Sequence, residues 1–115
     1  MDVKQAQDAL AAALKDCDEY RDFEQARQAA FQDELSGKLL TEFSRLQTKL
    51  QMFAVTGREA DQSEVERFRQ MSGLLYATPA TSAYLMAQIR LQKRLTDVFA
   101  ALSEAVGMPI ELPRL

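Results

Sequence analysis

Leu39, Phe43, Leu46, Leu50 and Phe53 recur at alternating steps of four and three residues, and no feature of the chain constrains its fold more. On a helix that rhythm places all five side chains on one stripe, the pattern of a seam that packs along another helix; on a strand the same residues would scatter over both faces. The spacing predicts a helix from about Asp33 or Ser36 to Thr56, with Gly57 just past its end and a polar loop over residues 58–62.

A second stripe steps in the same way through Leu91, Leu95, Val98, Leu102 and Ala105, extended upstream by Tyr84 and Gln88 and widened by Leu85, Ile89, Phe99 and Val106. Thr78 followed by Pro79 reads as an N-cap with proline in the first turn, where its missing N–H is no loss, and Gly107 marks the end. The helix between them has a length of roughly 40 Å at the usual rise per residue. Three shorter helices complete the pattern. Residues 3–14 carry Val3, Ala6, Ala9, Leu10, Ala13 and Leu14 on one face. The acids of Asp16-Cys17-Asp18-Glu19 suit the start of a second helix with Tyr20, Phe23, Ala26 and Ala30 inward, although no glycine or proline forces a break there. Ser63 and Glu66 have capping-box spacing for a fourth helix over about 64–76, and the prolines at 109 and 113 favour a short extended tail over 108–113.

The expected fold is therefore all-α, an elongated bundle of about five helices in which the two long ones form a long antiparallel hairpin, with residues 1–115 as one domain. Four glycines and three prolines in 115 residues are too few for a turn-dense β architecture. Leu39, Phe43, Leu46, Leu50, Leu91, Leu95, Val98 and Leu102 are the expected internal seam. Phe31, Phe53, Phe68, Met71, Leu74, Leu75 and Tyr84 add more apolar surface than an elongated monomer of this length covers, which predicts a symmetric homo-oligomer. Met52, Met71 and Met86 are expected to fill gaps in the core or an interface.

Catalysis finds little to work with. Histidine is absent, removing the commonest general base and metal ligand together. Asp16, Asp18, Glu19 and Asp22 fall on different helix faces with no glycine-punctuated loop, so capping and solvation are expected of them rather than cation binding. Cys17, the single cysteine, is expected to be a small, partly buried hydrophobe, and it supplies one thiolate where an iron–sulfur cluster generally takes about four. No phosphate-binding glycine loop occurs. We therefore expect no enzyme activity, no catalytic or metal-binding residues and no cofactor.

Fourteen basic against seventeen acidic residues give a net charge of −3, so the molecule as a whole does not attract a polyanion and direct nucleic-acid binding is not expected. The exception to weigh is local. Arg90, Lys93 and Arg94 share a face of the last helix, and Lys38, Arg45 and Lys49 group on the third; side by side they would make a basic strip suited to RNA phosphates. Tyr84, Gln88, Arg90, Lys93 and Arg94 are the candidate partner-binding residues. The start of the chain lacks the pattern of a secretory signal, and its longest apolar run, residues 9–14, falls far short of the ~18 residues a membrane span takes, so a cytoplasmic protein is expected.

Four stretches resemble the YlbF/YmcA family of small helical bacterial regulators: Tyr20-Arg21-Asp22-Phe23-Glu24-Gln25-Ala26, the run from Leu40 through Phe43 to Leu46-Gln47, Gly57-Arg58-Glu59, and Tyr84-Leu85 with Ala87-Gln88 and Leu91 leading to Glu104-Ala105-Val106-Gly107. The likeness covers nearly the whole chain, and its motifs specify fold better than activity. It implies a non-catalytic, oligomerising cytosolic regulator or adaptor of competence, biofilm formation and sporulation, acting through complexes with partner regulatory proteins that influence RNA processing by an endoribonuclease. Some members of the family contribute cysteines to an iron–sulfur cluster. Here residues 109–115 contain no cysteine and Cys17 lies elsewhere, so a plain interaction role is expected in place of cluster binding.

Overall fold

The computed structural model describes residues 1–109, which form five helices and no strand: α1 Val3–Lys15, α2 Asp18–Gln32, α3 Glu34–Thr56, α4 Gln62–Ala77 and α5 Pro79–Val106. The expected tail over 108–113 lies for the most part outside the described residues.

Each boundary has a local cause. Asp2 and Gln5 form a capping box at the head of α1: the Asp2 carboxylate accepts from the Gln5 backbone N–H at 2.8 Å, and the Gln5 side-chain oxygen accepts from the Asp2 N–H at 3.1 Å. The chain breaks after Lys15 without glycine or proline, Cys17 taking an extended conformation at φ −77° and ψ 156° before the acids Asp18 and Glu19 open α2. Asp33 alone separates α2 from α3, its carboxylate accepting from the Ser36 N–H at 3.1 Å and the Ser36 hydroxyl at 2.7 Å. The fourth helix starts earlier than the spacing of Ser63 and Glu66 suggests. Asp61 is its cap, accepting from the Ser63 N–H at 3.0 Å, so the box expected at Ser63 is not formed. Thr78 precedes Pro79 as expected, but its hydroxyl donates backwards to the Leu74 carbonyl at 3.0 Å. Gly57 and Gly107 end α3 and α5 at φ 73° and 67°, where a side chain would be strained.

The helices pack in antiparallel pairs. Lys49 meets Glu64 at 2.7 Å and Phe43 stacks on Phe68 with centroids 4.6 Å apart, so α4 runs back along α3 as a hairpin. Glu19 meets Arg94 at 2.8 Å while Phe31 meets Tyr84, so α5 runs antiparallel to α2. The remaining principal contacts are α2 on α3 and α4 on α5. The two longest helices therefore do not take each other as main partners. With Phe68, Met71 and Leu75 on α4 packed into the cluster that holds the α3 stripe, α5 takes the aromatic face of α2 instead.

One cluster forms the core where the pairs meet: Ala30, Leu40, Phe43, Leu46, Met71, Leu75 and Leu85, with Leu39, Phe68 and Tyr84 against it. The Thr81 hydroxyl, buried beside it, donates to the Leu75 carbonyl. The molecule extends 49 × 37 × 18 Å. At that thickness it is a slab no more than about two helix diameters deep, so the enclosed interior is small.

Candidate interaction surface

The stripe on α5 changes surroundings half-way along. In its first half Thr81, Leu85 and Ala87 are buried and Tyr84, Gln88 and Leu91 are half-buried. In its second half the same face continues as Val98 and Phe99, which are half-buried, and Leu95, Leu102 and Val106, which are exposed at 36%, 47% and 65%. Leu95 and Leu102 are thus not part of an internal seam, contrary to the spacing-based expectation. Helix α2 begins at Asp18 and its Glu19 already pairs with Arg94, so α5 outruns its partner from residue 95 onward.

A second uncovered face lies nearby. Helix α1 buries none of its side chains, and Val3 and Leu10 on its apolar stripe are 84% and 38% exposed. It joins α2 at Cys17, the end of α2 that lies against Arg94. Two amphipathic segments therefore leave the helical slab from the same corner.

The residues singled out in the sequence divide between inside and outside. Tyr84 is an internal wedge, its ring 5.4 Å from Phe23 in a tilted arrangement and 5.8 Å from Phe31 edge-on, and burial pushes its phenol above the usual tyrosine range. Gln88 is half-buried beside it along the stripe. Arg90, Lys93 and Arg94 are exposed; Lys93 pairs with Asp97 at 3.3 Å and Arg94 with Glu19 at 2.8 Å. The Arg94 hydrogen bond holds the Glu19 carboxyl at about 2, well below its ordinary 4.5, and the same contact raises Arg94.

On α3, Lys38 pairs with Glu34 at 3.4 Å, Arg45 with Glu42 at 2.7 Å and Lys49 with Glu64 at 2.7 Å. With α3 and α5 each packed mainly on other helices, the two basic groups are not laid side by side, and both are interleaved with acids. An open depression of about 400 Å³ beside Phe31 and Gly37 is lined by Glu34, Lys38, Thr41 and Glu42. Its charged groups are held in ion pairs, Lys38 with Glu34, and Glu42 with both Arg45 and Arg67. Among the described residues no group of three or more Cys, Asp or Glu is placed to hold a metal ion, and Cys17 stands half-buried at the junction of α1 and α2. No helix among the described residues is long and apolar enough to cross a membrane. Spacing marked the α5 stripe but not where its cover stops, and it gave no hint that α1 would bury nothing.

Antiparallel helices in a thin slab, with apolar helical arms uncovered at one corner, define a class of small all-α proteins whose notable surface is helical rather than a cleft. Residues 3–107 match the family described as "Control of competence regulator ComK, YlbF/YmcA", and the chain belongs to that family. It is 31% identical over 105 residues to the UPF0342 protein STH1710 of Symbiobacterium thermophilum, covering 91% of this chain and 92% of the relative. It is also 28% identical over 103 residues to a UPF0342 protein of Caldicellulosiruptor saccharolyticus, covering 90% and 86%. Among solved structures, a protein of unknown function (DUF964) from Bacillus stearothermophilus superposes with a TM-score of 0.77 at 11% identity, over 91% of this chain and 92% of that one. That likeness agrees with the all-helical fold.

Proposed function

We propose that this chain is a non-catalytic cytoplasmic regulatory adaptor, working as one helical domain that assembles with copies of itself and with partner proteins through its uncovered helix faces. The observation that carries the reading is the α5 stripe, which leaves Leu95, Leu102 and Val106 exposed on one continuous face. A contiguous apolar face on a soluble helix is the ordinary signature of a protein–protein contact. The family description, which names control of a competence regulator, supports a regulatory role. Gln88, Arg90, Lys93 and Arg94 form the polar border of this surface, and Tyr84 fixes the α5 segment that presents it. The complexes it enters bear on RNA processing through an endoribonuclease partner.

A direct RNA-binding role has less support, because Lys93 and Arg94 already have carboxylate partners and the α3 lysines do not line up beside them. Affinity capture of the tagged chain from its own cells, read by mass spectrometry, tests the proposal. Untagged copies of the chain and a small reproducible set of proteins, a ribonuclease among them, are expected, and they should be lost when Leu102 is changed to Glu. A bait that emerges alone refutes the adaptor reading. RNA retained by the native chain and released by the K93E/R94E pair would put the RNA-binding reading in its place.

A further inference from the structure

We draw no further inference here: the strongest candidate, the open depression beside Phe31 and Gly37 where α2 meets α3, has its charged rim already held in ion pairs within the chain, and nothing in the structure shows what covers it.

Discussion

Replacing Leu46 by Ala measures how much of the stability resides in the α3 seam. Leu46 is 1% exposed in a cluster that draws on four helices, with Ala30, Leu40, Phe43, Met71, Leu75 and Leu85 around it. Removing three carbon groups forfeits about 2.4 kcal/mol of transfer free energy at ~0.8 kcal/mol each, and the cavity left behind adds to that, within the 2 to 5 kcal/mol range seen for buried leucines. A chain of 115 residues has a total stability of roughly 6 to 17 kcal/mol, so a loss near 3 is a substantial fraction of it. Urea unfolding followed by far-UV circular dichroism is the assay, with native and variant chains at one concentration so that any association contributes equally to both. At a slope of about 2 kcal/mol per molar urea, the midpoint should fall by roughly 1.5 M with the slope unchanged. A loss under about 1 kcal/mol would mean that the site is not enclosed, and the placement of Leu46 within the four-helix core would fail.

The helix ends and surface charges give three further tests. Asp61→Ala should cost about 1 kcal/mol by removing the cap of α4, whereas Ser63→Ala should be near neutral; the reverse order in thermal melts would return the cap to Ser63. Gly73, inside α4 with open space around its Cβ position, should gain roughly 0.5 to 1 kcal/mol on change to Ala, and Gly107, at φ 67°, should lose about as much or more; equal effects would contradict the left-handed end of α5. Glu19 is ionised more readily in the folded chain, at about 2 against 4.5, so its contribution is complete above 4.5 and disappears as pH falls towards 2. Glu19→Gln should therefore lower the urea midpoint at neutral pH and match the native chain near pH 2, and a difference constant across that window would refute the ion pair with Arg94.

Periodicity identified the helices well because it reports which face of a helix is apolar, and that is a local property. The Leu39–Phe53 rhythm marked α3, the Thr78-Pro79 step and Gly107 bracketed α5, and Gly57 closed α3 as its position suggested. Competition between neighbouring caps was harder to read, since Asp61 and Ser63 both have side chains suited to the role and the choice depends on where the preceding loop delivers the chain. Partner choice was not legible at all. The α3 and α5 stripes look equally suited to one another, yet the short loop after Gly57 returns α4 directly along α3, leaving the aromatic face of α2 for α5. The packing of Tyr84 was hidden for the same reason: the rings of Phe23 and Phe31 that it meets lie far off in the sequence.

The difference between Leu46 and Leu102 comes down to length. Both lie on the apolar stripe of a four-three repeat, and both are leucines, yet one is enclosed and the other is 47% exposed. Helix α5 has 28 residues and its antiparallel neighbour α2 has 15, so the shorter helix cannot cover the longer one however well their faces match. The overhang is about 18 Å of helix carrying an apolar face, too long to be a frayed end and too regular to have arisen as loop. Lengthening α2 would have closed it within one chain. The sequence instead breaks the helix at Asp16 and Cys17 and leaves α1 with its own stripe unburied, so the break that prevents an internal cover also creates a second uncovered helix face. A single interruption of the first helix thus converts a four-helix slab into a molecule with surface to share.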